Sequence, residues 1–113
     1  KKVTNVIYPT NHQGEIKERA KKYMKGGYGS LVGMDVGTKE NGAKFIDNLK
    51  MLYHVANIGD ARSLAIHPAT TTHSQLNDKD LLAAGVTPGY VRLSIGIEHP
   101  DDIIADIKQA LAA

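Results

Sequence analysis

Apolar residues recur at two spacings along the chain, and each spacing predicts a type of element. Alternating or β-branched runs are typical of strands, whereas apolar residues three and four positions apart are typical of one face of a helix. Strands are predicted at residues 3–8, 30–36, 53–56, 63–66 and 91–97. Helices are predicted at residues 13–25, after Thr38, from Asn77 to Gly85, and from Pro100 onwards. This order predicts an α+β domain of about five strands with helices on one face of the sheet.

Each of the three longer predicted helices has one apolar face. The residues that share this face are Ile16, Ala20, Tyr23 and Met24 in the first helix and Gly42, Phe45, Ile46 and Leu49 in the second. In the last helix the predicted buried face consists of Ile103, Ile104, Ile107, Ala110 and Leu111.

Residues 91–97 form the clearest strand because their alternation is strict. One face carries Val91, Leu93, Ile95 and Ile97, and the other carries Arg92, Ser94, Gly96 and Glu98. A guanidinium group can bind a carboxylate through two parallel hydrogen bonds. From alternation alone, an arginine on a solvated sheet face is the commoner explanation of Arg92, and a carboxylate site is the alternative.

Size and charge limit the classes of function. A chain of 113 residues fits a single domain, residues 1–113, and a net charge of +2 is too weak a bias to indicate nucleic acid or an anionic membrane as partner. No apolar run approaches the roughly 20 residues that span a bilayer, and no signal peptide is recognisable. The absence of cysteine is compatible with the cytoplasm. The start, in strand-like sequence without Met, suggests a fragment of a longer protein.

Short motifs add little chemistry. Gly26-Gly27-Tyr28-Gly29 is not a phosphate-binding loop, and a helix stop with a turn explains it better. His67 and His73 lack further ligands at metal-site spacing, so no metal is expected. Asn57 precedes Ile58-Gly59-Asp60 in a turn, where asparagine is common for backbone reasons, although a ligand role is the alternative.

Longer sequence segments resemble the C-terminal domain of the Cys/Met-metabolism enzymes that depend on pyridoxal phosphate (PLP). The matching segments are residues 44–49, 57–64, 66–74, 84–88, 91–98 and 101–106. The most specific are the stretch from His67-Pro68-Ala69 to Thr72-His73 and the Arg92-Leu93-Ser94-x-Gly96 segment. Residues 57–60 and 85–88 look most like O-acetylhomoserine sulfhydrylases. Cystathionine γ-synthases and methionine γ-lyases, the alternative subfamilies, more often have Ser at position 57.

The resemblance implies a fold and a site. The fold is the small C-terminal domain of a fold-type I PLP enzyme, an α/β sandwich with a mostly antiparallel sheet. In this family the arginine at the position of Arg92 binds the substrate α-carboxylate, the residue at Asn57 helps to hold it, and Thr72 is a candidate for lining the cleft. PLP and its Schiff-base lysine belong to a large domain that the sequence lacks, so no catalytic residue is assigned here.

The implied reaction is a γ-replacement, in which sulfide or a thiol replaces the acetate of O-acetylhomoserine to give homocysteine or methionine. The implied partners are the amino-acid substrate and the PLP domain of the same protein, in a cytoplasmic homotetramer. Two hypotheses remain open at this point. The chain is either part of such an enzyme, inactive by itself, or a truncated, non-catalytic module that binds carboxylates.

Overall fold

A computed structural model describes residues 2–113. The strands are β1 (Asn5–Ile7), β2 (Leu31–Asp35), β3 (Tyr53–His54), β4 (Leu64–Ile66) and β5 (Tyr90–Ser94). The helices are α1 (Glu15–Tyr23), α2 (Lys39–Asn48), α3 (Asp78–Ala83) and α4 (Pro100–Ala112), with single 3-10 turns at Pro9–Asn11 and Pro68–Thr70. The predicted α+β order is confirmed. None of the helices within residues 2–113 is long and apolar enough to cross a membrane.

The five strands form one sheet in the order β1-β2-β5-β4-β3. The β1–β2, β2–β5 and β4–β5 pairs are antiparallel and the β3–β4 pair is parallel, so the predicted, mostly antiparallel sheet is confirmed. β5 lies in the middle of the sheet. Its central residue, Arg92, is in register with Gly33 on one side and Ile66 on the other.

The hydrophobic core lies between one face of this sheet and helices α2 and α4. Met34, Val91 and Leu93 project from β2 and β5 into that core, where they pack with residues of both helices that include Phe45 and Ile103. Because side chains alternate along a strand, the residues between them point to the opposite face. Helix α1 borders this second face, and its Ala20 and Ile16 line a cavity there together with Gly33.

The starts of α2 and α3 follow the predicted capping. Thr38 Oγ1 accepts a hydrogen bond from the Asn41 N–H at 3.1 Å, and Asn77 Oδ1 accepts one from the Asp80 N–H at 2.9 Å. Each cap satisfies a backbone donor that the first turn of a helix leaves without a partner. The caps fix where these helices begin.

The prediction that Ile97 continues the apolar face of Val91 and Leu93 was wrong. β5 ends at Ser94, and Ile97 is 86% exposed. The chain leaves the sheet after Ile95, and the Gly96 and Ile97 N–H groups bond instead to Ser63 Oγ and to the carbonyl of Ala61. Once the ladder stops, strand alternation no longer decides which way a side chain points.

The predicted buried face of α4 was also partly wrong. Ile103 and Ala110 are buried, but Ile104 is 48% exposed, and the buried surface of α4 includes a charged residue, Asp106, which is 6% exposed. The observed buried face of α4 differs from the predicted one because the loop after α2 packs against α4 and supplies hydrogen-bond donors for the Asp106 carboxylate.

Asp106 anchors the loop after α2. Its carboxylate accepts hydrogen bonds from the backbone N–H groups of Lys50, Met51 and Leu52 at 2.8–2.9 Å and from Gln109 Nε2 at 2.9 Å. Burial alone would raise the pKa of Asp106, but these donors outweigh it and leave the pKa lowered. The carboxylate therefore stays ionised and serves as a cap for three loop amides.

His67 fills the space between α2 and the loop before β5. It is fully buried, with Nε2 2.7 Å from the Pro88 carbonyl oxygen and Nδ1 2.9 Å from Thr70 Oγ1. The first contact requires a proton on Nε2, so Nδ1 is the acceptor. A Cβ on Gly42 would lie 2.7 Å from His67 Cδ2, and glycine is therefore needed where α2 passes the ring.

We expect Asp106→Ala to lower the free energy of unfolding by on the order of 3 kcal/mol, because it leaves buried loop N–H groups without acceptors. Urea unfolding measures this loss. The folded pKa lies below that of an unfolded aspartate, about 3.9. The stabilisation is therefore fully present above about pH 5 and is lost as the pH falls through the lowered pKa. Asp102→Asn, at an exposed position of the same helix, is the matched control. Equal losses in both variants would contradict the capping role.

We expect Gly42→Ala to destabilise the fold by roughly 1–3 kcal/mol, because the new methyl group overlaps the His67 ring. Elsewhere in a helix the same change is favourable by up to about 1 kcal/mol. Thermal or urea unfolding of Gly42→Ala, His67→Ala and the double variant separates the two effects. If the ring is the cause, Gly42→Ala costs nothing in the His67→Ala background. A cost unchanged by removal of the ring would disprove this explanation.

Candidate functional site

Arg92 lies on the sheet face opposite the hydrophobic core, as alternation in β5 predicts. Its neighbour across the β2 ladder is Gly33, where a Cβ would lie only 2.6 Å from Cε2 of Tyr90. Glycine therefore allows the Tyr90 ring to lie over β2, on the same face as Arg92. The two side chains form the polar end of a site on this face.

The guanidinium of Arg92 is held on one side only. Its Nη2 donates to the backbone carbonyl of Asn57 at 3.3 Å. Its Nε is shielded from solvent and has no hydrogen-bond acceptor among residues 2–113. A buried donor without an acceptor is energetically costly, and most such groups in proteins have a partner. A carboxylate placed against this guanidinium would supply acceptors for two of its N–H groups.

Asn57 lies beside Arg92, and the contact between them is made by the main chain of Asn57. The Asn57 carbonyl oxygen accepts from Arg92 Nη2 and also from the Ser94 hydroxyl at 3.1 Å. Its side-chain Oδ1 accepts from the N–H of Ile58 at 2.9 Å. Ser94 lies on the face of β5 that strand alternation predicts, and its sequence position alone indicated no role. The structure shows that it shares an acceptor with Arg92.

A cavity of about 490 Å³ lies between α1 and the face of β2 and β5 that carries Arg92. Its walls are mainly apolar, with polar groups from Arg92, Tyr90, Arg19 and His12. Burial raises the pKa of Tyr90, while the charge of Arg92 acts in the opposite direction. The Tyr90 hydroxyl is therefore protonated at neutral pH and can donate a hydrogen bond. Such a cavity suits a ligand with an anionic end and an uncharged remainder.

The other residues considered for chemistry lie apart from this cavity. Thr72 follows the 3-10 turn at Pro68–Thr70, is exposed, and places Oγ1 2.8 Å from Nδ1 of His73. It is not one of the cavity residues described above, so its place in a cleft stays a prediction. Within residues 2–113, no three or more His, Asp or Glu side chains are grouped so as to hold a metal ion.

The exposed apolar face of α1 is explained by the cavity. Ile16 and Tyr23, which the amphipathic pattern places on one face with Ala20, are 53% and 72% exposed. Only Ala20 of α1 is buried. Helix α1 therefore has the predicted apolar face, but Ile16 and Tyr23 on that face line a cavity rather than a packed core.

Comparison with known proteins places the chain in a family. The sequence profile described as Cys/Met metabolism PLP-dependent enzyme matches residues 1–112. The O-acetyl-L-homoserine sulfhydrylase of Leptospira meyeri is 49% identical over 97% of this chain, and O-acetyl-L-homoserine sulfhydrylase 1 of Thermus thermophilus is 47% identical over 95%. These alignments cover 25% and 26% of the two relatives. The chain thus spans about a quarter of the length of the curated relatives it matches.

A solved structure has the same fold. The crystal structure of a Campylobacter jejuni protein assigned as an O-acetylhomoserine (thiol)-lyase, which carries N'-pyridoxyl-lysine-5'-monophosphate, superposes with a TM-score of 0.88. The alignment has 39% sequence identity and covers 99% of this chain and 27% of that protein. Since the family profile matches almost every residue and the fold agrees, the chain belongs to the Cys/Met metabolism PLP-dependent enzyme family.

Proposed function

We propose that this chain is the substrate-binding C-terminal domain of an O-acetylhomoserine sulfhydrylase, in which Arg92 binds the α-carboxylate of the amino acid. The observation that carries the proposal is the arrangement around the guanidinium of Arg92. The guanidinium is oriented by the Asn57 carbonyl, and its buried Nε has no acceptor among the described residues. The names of relatives 47–49% identical to the chain support the choice of substrate.

The proposed reaction replaces the acetate of O-acetylhomoserine with sulfide or a thiol and yields homocysteine or methionine. In enzymes of this type PLP supplies the chemistry by withdrawing electrons from the bound amino acid. The contribution of this chain is orientation. A carboxylate held by two hydrogen bonds cannot rotate freely, and holding reactants in one geometry contributes several kcal/mol to the rate of an enzyme.

The residues of this chain do not by themselves fit PLP. Among residues 2–113, no lysine lines the cavity beside Arg92. Lys17 is half-buried, and the other lysines in this range are exposed. A Schiff-base lysine needs a site next to the substrate carboxylate. We therefore assign PLP binding to a separate large domain of the same protein, and no catalytic group to this chain.

Asn57 and Thr72 have supporting roles in the proposal. Asn57 acts first through its carbonyl, which orients Arg92, and its amide nitrogen can donate to the same substrate carboxylate. Thr72 lines the cleft once the large domain covers this face. The complete protein is proposed to be a cytoplasmic homotetramer, and the absence of cysteine from this chain is compatible with the cytoplasm.

The direct test is an assay of the complete enzyme with O-acetylhomoserine and sulfide. Homocysteine formation is the expected result. Preferential use of cysteine to form cystathionine would indicate a cystathionine γ-synthase instead. Elimination from methionine would indicate a γ-lyase. Absence of all three reactions in folded, PLP-loaded enzyme would contradict the proposal.

We expect Arg92→Ala to raise the KM for O-acetylhomoserine by at least about 30-fold, because removal of one partner from a buried, charge-assisted pair costs roughly 2–5 kcal/mol. Arg92→Lys should also bind poorly, since an ammonium cannot reproduce the planar fork. Steady-state kinetics at saturating sulfide measures both changes.

The matched control is Arg19→Ala. Arg19 lines the same cavity from α1 but is paired with Glu15. We expect its replacement to change this KM little. A normal KM in Arg92→Ala, or an equal rise in Arg19→Ala, would rule out Arg92 as the specific carboxylate ligand.

A further inference from the structure

A second polar cluster lies where the segment before β4 meets the segment after β5. The fully buried Ser63 donates its N–H to Glu98 Oε2 and its hydroxyl to Glu98 Oε1, both at 2.8 Å. Ser63 Oγ in turn accepts the Gly96 N–H at 2.9 Å. We call Ser63, Gly96 and Glu98 the latch. It joins residues more than 30 positions apart in sequence.

The two segments of the latch are in close contact. The Ile97 N–H donates to the Ala61 carbonyl at 2.9 Å, which adds a fourth hydrogen bond between them. A Cβ on Gly96 would overlap the Ala61 carbonyl oxygen and lie 2.7 Å from Glu98 Oε1. Glycine at position 96 therefore permits this approach, and the latch leaves little freedom to the chain at Ser63.

The latch sets the position of an otherwise exposed loop. Residues 55–62 connect β3 to β4 and are all exposed. Besides the latch, the base of this loop is closed by a hydrogen bond from the Tyr53 N–H to the Ser63 carbonyl at 3.1 Å and by Arg62, which stacks 4.6 Å above the Tyr53 ring. Asn57 lies near the middle of the loop, and the position of its carbonyl depends on these contacts at the base together with its direct bond from the Ser94 hydroxyl.

We propose that Glu98 is a positioning residue for substrate binding, because by holding Ser63 it fixes the loop whose Asn57 carbonyl orients Arg92. The inference rests on the proposed function, in which Arg92 binds the substrate carboxylate. At 3.3 Å the bond from Arg92 Nη2 to Asn57 is near the outer limit for a hydrogen bond. A small displacement of the loop therefore breaks it and releases the guanidinium.

Glu98 can hold Ser63 because its carboxylate is ionised. It accepts two charge-assisted hydrogen bonds, one on each oxygen. The backbone N–H of Ser63 is the main cause of the lowered pKa of Glu98, so the group is ionised at neutral pH. Glutamine has the same shape, but its amide nitrogen would face one of the two Ser63 donors. Glu98→Gln therefore weakens the latch without changing its volume.

The test is steady-state kinetics of the complete enzyme with Glu98→Gln. We expect the KM for O-acetylhomoserine to rise about 3- to 10-fold, because the substitution acts through one intervening contact. The KM for sulfide should stay unchanged, and kcat should change by less than about twofold. The matched control is Glu40→Gln, an exposed glutamate on α2, which packs on the opposite face of the sheet.

A double-mutant cycle separates positioning from general stability. If Glu98 acts through Arg92, then Glu98→Gln has no further effect on KM in an Arg92→Ala enzyme. The same fold-change with and without Arg92, or an unchanged KM in Glu98→Gln, overturns the inference while leaving the role of Arg92 intact. A normal KM in Arg92→Ala overturns both. If Glu98→Gln does not fold, Glu98→Asp, which keeps the charge but shortens the reach, takes its place in the cycle with the same expectations.

Discussion

The alternation of β5 in the centre of the sheet is the constraint on which the rest of this structure depends. Val91 and Leu93 must enter the core between the sheet and helices α2 and α4. Successive side chains of a strand point to opposite faces, so Arg92 has to project from the other side. Burial of two aliphatic neighbours thereby holds a cation at the wall of the α1 cavity. A register shift of one residue would place the charge in the core, and the hydrophobic effect excludes that arrangement.

The domain uses a buried carboxylate, Asp106, and a half-buried one, Glu98, to accept backbone N–H groups from loops. Asp106 accepts three consecutive backbone N–H groups after α2, and Glu98 accepts two donors from Ser63 before β4. In both cases the hydrogen bonds favour the ionised form and lower the pKa. One of these loops closes the core beside α4. The other loop carries the Asn57 carbonyl to Arg92. A carboxylate that accepts backbone N–H groups therefore stabilises the core in one place and, as we propose, orients the substrate in the other.

The proposed carboxylate site is therefore built from contacts between distant parts of the chain. Arg92 comes from β5, Asn57 from the β3–β4 loop, and Gly33 from β2 makes room for the Tyr90 ring. Most of its walls are apolar, which favours hydrogen bonds to the charged end of a ligand by excluding competing water.

The sequence by itself determined the local features. Apolar spacing and capping residues predicted the five strands, the four helices, the caps at Thr38 and Asn77 and the side of the sheet on which Arg92 lies. These predictions succeed because periodicity and helix caps depend on only a few neighbouring residues. The family resemblance, carried by phrases such as residues 66–74 and 91–98, added the expected role of Arg92.

Only the tertiary structure decided where polar partners meet. It exposed Ile97 and Ile104, buried Asp106, and showed that Asn57 contacts Arg92 through its carbonyl rather than its side chain. Such outcomes depend on contacts between residues 30 to 60 positions apart, and no local period encodes them. A backbone carbonyl is also the same in every residue, so its function leaves no trace in sequence and is decided by the fold that places it.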